Sequence, residues 1–198
     1  MLKLYSYHRC PFAIRARITL FEKGLDFEIQ EEDLKNKSEE LRRLHPEARV
    51  PLLVHNGFVV FDSAVITEYV DEAFEGAKLM PESAHARAAV RMWTVWCNNV
   101  FKPEVDRIKY GPGKLTSEEL SKAHESMKAH LARIDSVVSK TGWLVEARFS
   151  LADIHVFPFY RQLEKLTPAF ELLQNYAHAY QWFLSIESRE SFKRAMAR

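Results

Sequence analysis

Leu2-Lys3-Leu4-Tyr5-Ser6-Tyr7-His8-Arg9-Cys10-Pro11-Phe12-Ala13-Ile14 opens the chain with an alternating run, a polar break and a Cys-Pro pair. Residues 2–6 alternate in the way of a half-buried strand. Pro11 then stands where a helix begins, since the first helical N–H has no intrahelical partner to lose. Ile14, Ile18, Phe21 and Leu25 recur at helical spacing, and Gly24 supplies a stop. Residues 26–30 alternate again as a second strand. The stretch therefore predicts a strand that runs through a thiol into a helix and returns to a strand.

Further along, a polar helix is expected over residues 38–44, ending before Pro46. Two apolar runs, 50–54 and 58–61, flank His55-Asn56-Gly57, a hairpin signal because Asn and Gly tolerate positive φ. Asp62 or Ser63 can cap a helix carrying Ile66, Tyr69, Val70 and Phe74. The order β-α-β, α, β-β-α predicts a thioredoxin-like α/β domain over residues 1–76. Residues 76–81 read as a linker.

From 84 to 198 the pattern is helical throughout, predicting an all-helical second domain. Ala84, Ala88, Met92 and Val95 form one stripe, and Val90, Trp93, Cys97 and Phe101 a second, in a helix expected over 84–102. Leu120, Ala123, Met127, Leu131, Ile134 and Val138 mark another long helix. Ser150 with Asp153 reads as a capping box, with Phe149 and Ile154 as its staple. Leu173, Tyr176, Tyr180 and Phe183 define a helix after Pro168.

The 198 residues carry a net charge of +1 with both signs interspersed, which excludes the basic footprint of a nucleic-acid binder. No apolar run approaches the roughly 20 residues that span a bilayer, and the N-terminus lacks a signal-peptide core. The two cysteines, Cys10 and Cys97, have neither metal-ligand nor Cys-x-x-Cys spacing. That pattern fits a reducing compartment, so a cytoplasmic location is expected.

Cys10 is the sharpest chemical candidate. A thiol at a helix start faces unpaired N–H groups and the positive end of the dipole, which favour thiolate, and Arg9 and Arg15 lie nearby. A buried structural cysteine is the alternative. With no second cysteine close by, a reactive Cys10 needs an external thiol to resolve it. Val50-Pro51 is a candidate cis bond opening a strand, and Asp62-Ser63 can be a helix cap, an anion site or both. Trp93, Trp96, Phe101 and Tyr110 read as core or as the lining of an apolar pocket. Cys97 reads as core, and His8 as a surface residue.

Together these residues resemble the cytosolic glutathione transferases, most closely the omega class. Cys10-Pro11-Phe12-Ala13 with Arg15 and Arg17 is similar to the omega active-site segment, and Leu34-Lys35-Asn36-Lys37 to its lysine-bearing loop. Val50-Pro51-Leu52-Leu53 and Asp62-Ser63-Ala64-Val65-Ile66 resemble the cis-proline and γ-glutamyl-binding motifs. Phe149 to Asp153 resembles the folding motif of the helical domain. The resemblance implies that Cys10 forms a mixed disulfide with glutathione as co-substrate. It implies that Phe12 and Pro51 help to line the site and that Lys37 meets the glycine carboxylate. It further implies that Val50 offers its backbone to the cysteinyl part and that Asp62 and Ser63 hold the γ-glutamyl end. A homodimer acting on a small electrophilic or disulfide substrate follows from the same likeness. Cys in place of Tyr or Ser points to thiol transfer over conjugation. Two positions depart from the pattern: Asp62 stands where the family usually has Glu, and Glu146-Ala147-Arg148 lacks a glycine. Phe21-Glu22-Lys23-Gly24, Tyr69-Val70-Asp71-Glu72 and Leu79-Met80-Pro81 carry a rival resemblance, to the glutathione-transferase-like stringent starvation protein A, a non-catalytic RNA polymerase partner of the same fold. Against it, residues 74–78 lack the Pro-His-Pro segment of that protein.

Overall fold

The computed structural model describes residues 1–166 and 173–197. Two compact units emerge: Met1–Met80 together with the chain from Ser188 onward, and Pro81–Glu187.

In the first unit, β1 (Leu2–Ser6), α1 (Pro11–Glu22), β2 (Glu28–Glu31), α2 (Glu39–Leu44), β3 (Leu52–His55), β4 (Phe58–Phe61) and α3 (Ser63–Ala73) follow in order. The sheet order is β2-β1-β3-β4, with β1 parallel to β2 and antiparallel to β3, and β3 antiparallel to β4. Strand alternation sorts the core into two layers. Leu2, Leu4, Leu53 and Val60 meet Ala16 and Leu20 of α1 and Ile66 and Val70 of α3. On the other face, Tyr5 and Leu52 meet Leu41 of α2. Asn56 and Gly57 take φ of 50° and 86°, the positive values a tight hairpin turn needs.

Two strands differ from their expected bounds. The second starts at Glu28 because its ladder is set by β1, Lys3 pairing with Glu28; Leu25 and Phe27 pack against the core before the ladder begins. The third starts at Leu52 because Pro51 has no N–H to offer.

The second unit holds α4 (Ala84–Trp96), a π-helical turn (Cys97–Phe101), α5 (Lys102–Tyr110), α6 (Ser117–Thr141), α7 (Leu151–Glu164) and α8 (Ala177–Glu187). The single helix expected over 84–102 is broken by the π turn. Pro103, in the first turn of α5, lacks an N–H and crowds the carbonyl one turn back, so the ladder widens ahead of it. Residues Leu151 to Tyr160 of α7 are all buried, which makes it the central helix of this unit. The expected capping box forms: Ser150 Oγ and its backbone N–H both donate to Asp153. Phe149 packs edge-on against Trp143 at 5.3 Å. Of the residues expected on one helix after Pro168, Tyr180 and Phe183 lie on α8, whereas Leu173 and Tyr176 precede it across a turn closed by Tyr176 N–H donating to Leu173 O; Pro168 lies outside the described residues.

The last helix, α9 (Glu190–Met196), belongs by contact to the first unit, although the helical pattern of the sequence runs on from residue 84 without a break. Arg189 forms a two-point ion pair with Glu22 of α1 (2.7 and 2.8 Å), and the Arg194 guanidinium lies 4.3 Å from the centre of the Phe21 ring. Glu22 and Arg189 stand 167 residues apart, which no local pattern reveals.

Candidate functional site

Cys10 is the N-cap of α1, with extended backbone (φ −73°, ψ 119°). Its carbonyl accepts from Ile14 N–H and its own N–H donates to Tyr7 O, both at 2.9 Å. The half-buried thiol donates to Val50 O at 3.9 Å. Burial pushes the thiol up from its ordinary value. The amides of Ala13 and Phe12 and the charges of Arg17 and Arg15 oppose that rise without overcoming it. The expected bias toward thiolate is thus reversed in the free protein: desolvation outweighs the helix start.

The Val50–Pro51 bond is cis. Beside it opens a cleft of about 300 Å³ whose walls include Phe12, Val50, Pro51, Phe61, Asp62 and Ser63, with His45, Glu47 and Arg49 after α2. Asp62 takes φ 68°, a left-handed conformation unusual for a residue with a Cβ. Its Oδ1 accepts from Ala64 N–H at 2.8 Å and Val65 N–H at 3.5 Å, so the carboxylate caps α3. Ser63 is buried, and its hydroxyl accepts from Arg15 at 3.2 Å. The fully buried Arg15 also lies 5.1 Å from the Phe12 ring centre and so ties two walls of the cleft together.

Lys37 is not part of that wall. At His45 burial lowers the imidazole's affinity for a proton, Glu47 opposes it, and the charges of Arg49 and, least, Lys37 add to the lowering. The loop bearing Lys37 is anchored by Glu32, whose carboxylate accepts from Ser38 N–H (2.8 Å) and Oγ (2.6 Å). His45, Glu47 and Arg49 were missed from the sequence. His45 Nδ1 accepts from Glu47 N–H at 3.0 Å and its ring lies 4.6 Å from Phe61. The one available signal was their position just before the cis proline.

In the second unit, Trp96 stacks on Phe101 at 5.1 Å, Trp93 meets Trp96 edge-on, and Arg133 lies over both indoles. These three aromatics are buried together, while Tyr110 is exposed. Cys97 is buried and donates to His155 O at 3.4 Å.

A thioredoxin-like layer with a cis proline beside a helix-start thiol meets its counterpart in known proteins. Residues 9–73 match the family model for the glutathione S-transferase N-terminal domain, and residues 103–190 that for the C-terminal domain. The chain belongs to the glutathione S-transferase family. Glutathione S-transferase U28 of Arabidopsis thaliana is 32% identical over 76% of this transferase and 67% of its own length. The crystal structure of rice GST1 in complex with glutathione superposes with a TM-score of 0.88 at 27% identity, covering 99% of this chain and 90% of that one. Glutathione S-transferase omega-1 of Sus scrofa is 27% identical over 84% of this chain and 68% of its own. The likeness to the omega class is therefore no stronger than that to the plant enzymes, and what stands is membership of the superfamily. The polymerase-partner reading finds no support in these relatives, which are named as transferases.

Proposed function

We propose that this transferase works through Cys10, which exchanges thiols with glutathione by way of a mixed disulfide. Glutathione is the co-substrate, in keeping with the family and with the glutathione bound to the rice neighbour. The observation that carries the reading is the placing of Cys10 Sγ against Val50 O, at the cis proline that walls the cleft. Cys10 thiolate attacks the glutathionyl sulfur of a mixed disulfide R–S–S–G. The Cys10–S–S–G bond forms, and R–S⁻ leaves and takes up a proton. A second glutathione thiolate then attacks the glutathionyl sulfur of that adduct, releasing glutathione disulfide and restoring Cys10 thiolate.

In the free protein Val50 O accepts the thiol proton. Glutathione that pairs its cysteinyl backbone with Val50 competes for this acceptor, and so removes a bond that favours the neutral thiol. Asp62 and Ser63 hold the γ-glutamyl end at the start of α3, and Phe12 and Pro51 line the groove. Lys37 draws the glycine carboxylate from beyond the cleft wall. A homodimer is supported by exposed apolar side chains on each unit, Phe61 and Val65 on the first and Met92 and Val95 on the second. Two cysteines with neither Cys-x-x-Cys nor metal-ligand spacing support a reducing, cytoplasmic setting. The second substrate is a small electrophile or disulfide.

Incubation with glutathione disulfide followed by peptide mass mapping tests the assignment. One glutathionyl group is expected on Cys10, none on buried Cys97, and thiol-transfer activity is lost in Cys10→Ala. If Cys10→Ala retains both thiol transfer and conjugation to an aryl halide, the cysteine is not the catalytic group.

A further inference from the structure

Arg17 stands two turns into α1 and is 2% exposed, yet it carries a full charge into the interior. Helical side chains lean toward the helix N-terminus, which lets its guanidinium reach back over the residues ahead of Cys10. Nη1 donates to Ser6 Oγ and to Tyr7 O (3.4 Å), and Nη2 donates to His8 O (2.6 Å). Nε donates to Ala195 O of α9 at 2.8 Å. Tyr7 O is the same atom that accepts the Cys10 N–H. From the opposite side of the same peptide unit, His8 N–H donates to the Glu31 carboxylate at 2.6 Å. The irregular segment between β1 and α1 is thus gripped by Arg17 of α1 and Glu31 of β2 at successive peptide groups, while α9 holds the Arg17 guanidinium in place through Ala195 O.

We propose that Arg17, assisted by Glu31, is a positioning residue that sets the β1–α1 segment so that Cys10 sits at the start of α1 against Val50. The inference rests on Cys10 being the working thiol. A guanidinium is suited to the task because its rigid fork serves several acceptors in fixed directions, which a lysine ammonium on a flexible stem does not reproduce. The arrangement carries a cost, since burial lowers Arg17 to about 10 while Glu31 and Cys10 pull it back up. A buried charge is poor as a device for stability alone, and an apolar residue of similar volume is often as good. The charge has a second effect at the thiol, where Arg17 and Arg15 both oppose the rise that burial imposes.

The experiment follows iodoacetamide alkylation of Cys10 against pH, alongside thiol-transfer kinetics, in wild type, R17K, R17M, E31A and E31Q. Alkylation needs no glutathione, so it reads the position of the thiol even if the proposed exchange fails. An absence of any Cys10–glutathione adduct in the wild type would defeat the exchange reading alone. R17K, which keeps charge but not the fork, is expected to lower the alkylation rate at neutral pH about tenfold, as displaced reacting groups do. It should move the pH midpoint upward and reduce kcat with little change in the KM for glutathione. E31A is expected to lower the rate in the same sense. E31Q keeps an acceptor for His8 N–H and should recover most of that loss. Glu31 lies exposed on an edge strand, so this pair reports even if the Arg17 variants do not fold. Wild-type rates and pH profiles in folded R17K and R17M, or in both Glu31 variants, would overturn the proposal.

Discussion

Asp62 is a residue with two demands on one side chain. Its carboxylate caps α3, and its backbone occupies a left-handed conformation that strains any residue with a Cβ. Asp62→Gly removes the carboxylate but suits the positive φ, and glycine is a tolerable N-cap, so stability is expected to stay within about 0.5 kcal/mol of wild type. Asp62→Ala should lose about 1 kcal/mol by urea denaturation, because the cap is gone and the strain remains. If the carboxylate also holds glutathione, both variants lose affinity by calorimetry, and equal affinity in Asp62→Gly would dismiss that role. Cys10 gives a second prediction at this scale. Since burial raises its thiol, alkylation in the free protein should accelerate with pH and reach its midpoint above that of a free cysteine peptide. A midpoint below that reference would mean that the helix start dominates. The helix start at Cys10-Pro11, the cis bond at Val50-Pro51 and the helix cap at Asp62-Ser63 were legible because each is a local signature of two adjacent residues. The direction of the thiol's shift was not, because burial is supplied by residues far along the chain.

Among the elements, α7 depends most on a single side chain. Asp153 is fully buried and accepts from Ser150 N–H and Oγ, Leu144 N–H and Trp182 Nε1, at 2.8 to 3.0 Å. It therefore joins the start of α7 to the preceding loop and to α8. Asp153→Ala leaves those donors buried without an acceptor, and a loss of about 3 kcal/mol or more is expected by chemical denaturation. Burial raises this carboxyl to about 6, against the pull of its four donors. An unfolded aspartate titrates near 4, so between about pH 4 and 6 the native state holds a proton that the unfolded chain has released. This group's contribution is full below that window and falls as pH rises through it. Asp153→Asn should flatten that part of the stability profile; an unchanged slope would place the titration elsewhere. Helix and strand periodicity revealed most elements, and the capping box was visible as Ser150 and Asp153 three residues apart. The π turn at Cys97–Phe101 was not, because its apolar stripes continue unbroken and only Pro103 hints at a change of ladder.

For the whole molecule, the exposed apolar side chains require a partner or a reason. Val65 is 54% exposed and Met92 64%. If they lie in a homodimer interface, Val65→Asp with Met92→Glu should convert a dimer to a monomer by light scattering while each unit keeps its fold by circular dichroism. A wild-type chain that is monomeric at all concentrations would remove the dimer.

The order of strands and helices in residues 2–73, the hairpin turn and the thiol at a helix start follow from sequence, because each rests on spacing within a few residues. The docking of α9 on α1, the grip of Arg17 on the segment before Cys10 and the net rise of its thiol follow only from the tertiary structure. Each of these depends on groups brought together across the chain, such as Glu22 with Arg189 and Arg17 with Ala195. Their effect lies in desolvation and multi-point hydrogen bonding, which exist only once the chain has closed around them.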